Sequence, residues 1–106
     1  MRNITNELVD IIDWESVGLA LDISSTKLHE IRANRMNNGA LCKISMADTW
    51  LRSDVDASWE KLADALDETN NSVQADVIRN KYGIFTVVYH RGGEYIIYEY
   101  IVWLLL

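Results

Sequence analysis

The sequence predicts an all-α fold, a six-helix antiparallel bundle over residues 1–83, followed by a short hydrophobic, β-hairpin-like C-terminal tail over residues 84–106. Three observations carry this. Proline is absent from all 106 residues, against a usual share of about 5%, which favours helices over irregular connections. Apolar residues recur with a 3.6-residue period up to Gly83, the mark of a helix with one buried face. Beyond Gly83 the pattern changes to short β-branched and aromatic runs: 16 of the last 23 residues are apolar, and four of the five tyrosines fall there. A chain of this length makes one domain with a modest core.

Ile4, Leu8, Ile11 and Ile12 stand at i, i+4, i+7 and i+8 and predict a first helix with these four on one face. Trp14, Val17, Gly18 and Leu21 repeat the pattern. Ser24 or Ser25 can accept from the free amides that begin a third helix, which turns Leu28 and Ile31 inward and ends near Asn34. Asn37-Asn38-Gly39 marks the break. Ala40, Ile44, Ala47 and Leu51, with Leu41 and Trp50 widening the stripe, predict the inward face of a fourth and longest helix. After a charged connection over Ser53 to Ala57, Trp59, Leu62, Ala63 and Leu66 give the clearest stripe in the chain. Thr69-Asn70-Asn71 ends that fifth helix. Asn71 and Gln74 have capping-box spacing for a sixth, which runs through Val77 and Ile78 to Lys81, and Gly83 suits a left-handed cap after it. Six short helices with short connections describe a compact bundle.

Sixteen acidic residues against ten basic ones give a formal charge of −6, which disfavours a duplex-DNA binder that relies on phosphate neutralisation. The 49% apolar share excludes wholesale disorder. Cys42 is the only cysteine and cannot form an internal disulfide, and the N-terminus MRNITNELVDIIDW is too polar and acidic for a signal peptide. A reducing, cytoplasmic setting is therefore expected. There the triplets Asn3-Ile4-Thr5 and Asn70-Asn71-Ser72 read as helix-start chemistry instead of glycosylation acceptors.

Catalytic chemistry finds little purchase. Cys42 with His29 or His90 supplies the residue types of a nucleophile and base without a local signature, and Cys42, flanked by Leu41 and Ile44, reads as a small core residue. His29 reads as a surface residue of the third helix, and His90 lies beside the presumed hairpin turn. Metal-ligand spacings are absent, Gly92-Gly93 lacks a Walker lysine and reads as a turn, and Trp14, Trp50 and Trp59 each fall on a bundle stripe. Neither a cofactor nor an enzymatic activity is expected.

Trp14-x-x-Val17-Gly18-x-x-Leu21, then Leu28-x-x-Ile31, then Cys42 seven residues before Thr49-Trp50-Leu51, then Ser58-Trp59-x-x-Leu62-Ala63-x-Ala65-Leu66 together resemble a death domain. The resemblance covers roughly residues 3 to 83 and rests on core positions. It implies a six-helix death fold without catalysis, which joins other death domains, and copies of itself, into signalling oligomers of the apoptotic or innate-immune kind. Family interfaces use the outer faces of the second and third helices, of the first and fourth, and the corner between the fourth and fifth. Their residues are poorly fixed in type, so they carry over here as positions alone.

At those positions Lys27, Arg32 and Arg35 make the third helix and its exit basic, whereas Asp54, Asp56 and Glu60, after Arg52, make the corner acidic. Two faces of opposite sign favour head-to-tail contacts, which generate rings or open helices. Asp64, Asp67, Glu68 and Asp76, scattered along the last two helices, read as solvated charges. A peptide- or nucleic-acid-binding bundle unrelated to death domains is the alternative class, with the third-helix cations meeting phosphates, but the acidic chain opposes it.

The tail has three readings. As a hairpin, Ile84 to Tyr89 pairs with Tyr95 to Tyr100 and needs the bundle or a partner's sheet edge, because two isolated strands are marginal in water. As a membrane span, Tyr95 to Leu106 has 12 residues including Glu99, short of the roughly 20 required. As an interrupted continuation, the run after Glu99 leads on into a membrane helix or another domain, since a hydrophobic terminus is unusual in a soluble chain.

Overall fold

The computed structural model describes residues 1, 3–82, 84–91 and 94–101, with side chains for 1 and 3–82. Six helices follow in chain order: α1 (Ile4–Glu7), α2 (Trp14–Ala20), α3 (Ser25–Asn34), α4 (Gly39–Ser53), α5 (Trp59–Glu68) and α6 (Ser72–Lys81). Side-chain oxygens start four of them. Asp13 accepts from the Ser16 amide, Ser24 from Lys27, Asn38 from Leu41 and Ser58 from Lys61, each satisfying an amide that has no intrahelical partner.

Helices α2, α3 and α5 stop in the same way. Asp22, Met36 and Asn70 adopt left-handed backbone, with φ of 65°, 52° and 63°. The amide that follows each reaches back into the last turn, Ile23 to the Gly18 carbonyl, Asn37 to Arg32 and Asn71 to Leu66. This is the Schellman arrangement, made without glycine at a cost of roughly 1–2 kcal/mol for each left-handed residue.

The core is continuous from α1 to α6. Leu8, Val17, Leu28, Cys42, Met46, Trp50, Leu62, Leu66 and Ile78 are fully buried. Gly18 matters for close approach: a Cβ there would stand 2.6 Å from a Leu28 methyl and 3.2 Å from the Met46 sulfur. Its bare backbone lets α3 and α4 close on α2. Trp59 is half-buried and stacks on Tyr82 with ring centres 3.7 Å apart and planes 7° from parallel, which places it at the edge of the core where a central position was expected.

Glu7 is the buried charge among the described residues, 4% exposed. Its carboxylate accepts from Lys81 Nζ at 2.5 Å, from Tyr82 Oη at 3.2 Å and from Gln74 Nε2 at 3.2 Å, so α1 is clasped to the end of α6. The hydrogen bond to Glu7 raises the Lys81 pKa. Burial first, then the Glu7 charge, raises that of Tyr82. A second tie joins α5 to α6: Arg79 meets Asp67 at 2.7 Å and Asp64 at 2.9 Å.

Several sequence expectations are corrected. Helix α1 ends at Glu7, and turn bonds from Leu8 to Thr5 and from Ile11 to Leu8 follow. Ile11 still faces in, but Ile12 is 93% exposed, because the chain past Leu8 no longer turns by a helical 100° per residue. On α4 the inward face is Cys42, Met46, Ala47 and Trp50, and Ala40, Leu41, Ile44 and Leu51 face solvent. Met46 packs into the space over Gly18, with its sulfur 3.2 Å from where a Cβ would stand, and this contact goes with the helix's rotation. Val77 is also exposed. The Asn71–Gln74 capping box does not form: Asn71 donates to the Thr69 carbonyl and Gln74 to Glu7. Replacing Ile12 by serine is therefore expected to change stability by no more than about 0.5 kcal/mol in urea denaturation.

Past the bundle, the backbone traces two extended runs, β1 (Ile84–Arg91) and β2 (Glu94–Ile101), laddered antiparallel with Ile84 opposite Ile101. The expected Gly83 cap, the Gly92-Gly93 turn, and the side chain of His90 lie outside the described residues. No helix among the described residues is long and apolar enough to cross a membrane.

Candidate interaction surface

Helix α3 starts at the Ser24 cap and packs Leu28 and Ile31 on the core, which leaves Lys27, Arg32 and Arg35 on its outer side. They do not act as one patch. Arg32 is pinned to Glu15 of α2. Lys27 and Arg35 instead line a shallow groove between α3 and α4, to which α4 adds Arg52 and Asp48. In it Arg35 Nε donates to Ser45 Oγ at 2.7 Å and Arg52 meets Asp48 at 3.2 Å. Lys27 also pairs with Glu30 of α3 at 3.8 Å, so three cations stand against two carboxylates and the groove is basic.

The predicted acidic corner is built differently from its sequence. Asp54 caps the end of α4 and is engaged on several sides: it accepts from the Asp56 amide at 2.9 Å, from Lys61 at 3.2 Å and from the Trp50 indole at 3.3 Å. The Asp56 amide first, then Lys61, hold its carboxyl below the usual range against a burial effect of opposite sign. Asp54 therefore organises the α4–α5 turn. Asp56 is exposed and Glu60 half-buried in the first turn of α5.

The negative potential gathers elsewhere. A cleft between α2, α4 and α5 is lined by Asp22, Asp54, Asp64 and Glu68 around Lys61. Lys61 pairs with Asp54 and Arg79 with Asp64, and neither Asp22 nor Glu68 has an ion pair among the described residues, which leaves the cleft acidic. Asp64 and Glu68, read from sequence as scattered surface charges, belong to this face. Only tertiary structure assembles it, because Asp22 comes from the α2 stop and its neighbours come from α5. Exposed Asp64 and Glu68 at i, i+4 were the local signal.

The two faces flank α4. Ser45, Asp48, Thr49 and Arg52 line the basic groove, and Trp50 and Asp54 the acidic cleft. The two sets lie on different sides of α4, so the basic groove and the acidic cleft are separate surfaces. Among the residues weighed for chemistry, Cys42 is fully buried and His29 is exposed. No cluster of three metal-ligating side chains occurs among the described residues. Compared with family models, curated proteins and solved structures, the chain finds no match.

Proposed function

We propose that residues 3–83 form a death-domain-type module, a non-enzymatic adaptor in signal transduction that joins like bundles, copies of itself included, into oligomers. The six-helix core and the residue pattern described above support the death-fold part of this reading. The observation that carries the functional part is that the basic α3–α4 groove and the acidic α2–α5 cleft are separate surfaces of opposite sign, on different sides of α4. A surface whose complement is a separate surface of the same chain joins head to tail and leaves a free end of each sign, which extends to rings or open helices. Within the same proposal, the tail is a hairpin hung on α6 as an accessory to the bundle.

Charge guides such contacts more than buried area does. Lys27, Arg35 and Arg52 are the basic contributors, and Asp22 and Glu68 the acidic ones. Arg32 and Asp54 support the faces from behind, through Glu15 and through Lys61. Reversing Lys27 and Arg35 to glutamate in the full chain is expected to weaken self-association tenfold or more in sedimentation velocity, and raising salt is expected to weaken the wild type likewise. Unchanged association in the double variant would sink the assignment.

A further inference from the structure

Asn38 and Gly39 join α3 to α4, the two helices that form the basic groove. The Asn38 amide donates to the Arg35 carbonyl at 2.9 Å, and the Asn38 carbonyl accepts from the Cys42 amide at 2.8 Å. Its side-chain oxygen caps α4 by accepting from the Leu41 amide at 3.0 Å. Both residues are exposed, and beyond its own helix and chain neighbours nothing lies within 4 Å of where a Cβ on Gly39 would stand. Theirs is the single Asn-Gly pair in the sequence, and every other asparagine precedes a residue with a side chain. A following glycine leaves its nitrogen unshielded and its backbone free to turn. The Gly39 nitrogen is also the first in α4, where an amide has no intrahelical acceptor.

We propose that Asn38 is a site of backbone-driven deamidation, gated by the cap of α4. The Gly39 nitrogen gives its proton to solvent base and bonds Asn38 Cγ. The Cγ–Nδ2 bond then breaks, and Nδ2 takes a proton from water and leaves as ammonia. Water opens the resulting succinimide in one of two ways. Attack at Cγ restores the ordinary peptide bond and leaves aspartate, whereas attack at the former main-chain carbonyl routes the chain through Cγ and leaves isoaspartate. The gate is conformational. Ring closure needs Cγ beside the Gly39 nitrogen, but at the Asn38 ψ of 113° the Cα–Cβ bond is turned away from it. Rotation about ψ carries the carbonyl off the Cys42 amide, and closure takes the side chain off Leu41, so the first turn of α4 opens before the ring forms. The two products act differently. Aspartate caps as asparagine does, with a charge that a helix N-terminus favours. Isoaspartate adds a methylene to the main chain and displaces the bonds to Arg35 and Cys42 together.

The test incubates the full chain at mildly alkaline pH, folded and in urea, and follows each asparagine by peptide mass spectrometry. In the folded chain Asn38 is expected to convert ahead of the other asparagines, to aspartate and isoaspartate together, and several-fold faster again in urea, where the cap is gone. Gly39→Ala meets open space at a backbone outside the left-handed region, and is expected to slow the conversion about tenfold or more with the fold unchanged. In the purified isoaspartyl product the Leu41 and Cys42 amides are expected to exchange hydrogen faster than in the parent chain, and in Asn38→Asp no faster. Another asparagine converting first, equal rates folded and in urea, an unslowed alanine variant, or an isoaspartyl product that keeps its protection would each overturn the inference. None of these readouts depends on self-association.

Discussion

Replacing Trp50 by alanine is expected to cost about 3–5 kcal/mol, a large part of the stability of a domain this size. The indole is 1% exposed at the centre of the bundle, and its N–H donates to Asp54 Oδ2 at 3.3 Å. Truncation opens a cavity and frees the carboxylate that orders the α4–α5 turn. Trp50→Phe keeps most of the buried ring and loses the hydrogen bond, so about 1–2 kcal/mol is expected. Urea denaturation with an unchanged m-value measures both. A loss under about 1 kcal/mol for the alanine variant would mean that α4 is rotated relative to the core.

Lys81→Met is expected to destabilise the bundle at neutral pH more than Glu7→Gln, which costs about 1–2 kcal/mol. The asymmetry follows from burial. The Lys81 side chain is 56% exposed and rehydrates when Glu7 is neutralised, whereas the Glu7 side chain is 4% exposed and loses its counter-charge when Lys81 goes. The sign with pH follows from the shifts. Lys81 is held above its ordinary value by Glu7, so its contribution is complete below about pH 10 and disappears as pH rises through the folded value. Tyr82, raised by burial and by Glu7, acts in the same direction, because the unfolded chain ionises first. Asp54, held low by the Asp56 amide and Lys61, contributes above the unfolded carboxylate value and ceases to as pH falls. Stability is therefore expected to drop above about pH 10, and to drop less in the Lys81→Met/Tyr82→Phe double variant.

Much of the bundle is legible in the sequence where local chemistry determines it. Ser24 caps α3, Asn38 precedes α4, and Leu62, Ala63 and Leu66 point inward from α5 as their spacing requires. Legibility fails where a tertiary partner decides between local options. Helix α4 carries apolar residues on most sides, and periodicity alone does not say whether Ile44 or Met46 faces the core. The deciding feature is the missing side chain at Gly18, on another helix. Glu7 is a second case: its partners lie 67 to 75 residues away. A carboxylate set among Ile4, Leu8 and Ile11 was the available sign of a buried charge. The charged faces were half legible. Lys27 and Arg35 do share a groove, but Arg52, read as the start of the acidic corner, joins them there, Arg32 is engaged by Glu15, and the acidic face draws Asp22 and Glu68 from separate elements.

Head-to-tail joining is tested most directly by mixing two variants, each with one face neutralised. Lys27→Gln/Arg35→Gln retains only the acidic face, and Asp22→Asn/Glu68→Gln only the basic one. Measured by sedimentation velocity at low salt, the wild type is expected to grow with concentration and each variant alone to stay monomeric. The mixture is expected to stop at a one-to-one dimer, because each partner caps the other's free end. A wild type that stays monomeric throughout, or a mixture that does not pair, would contradict assembly through these two faces.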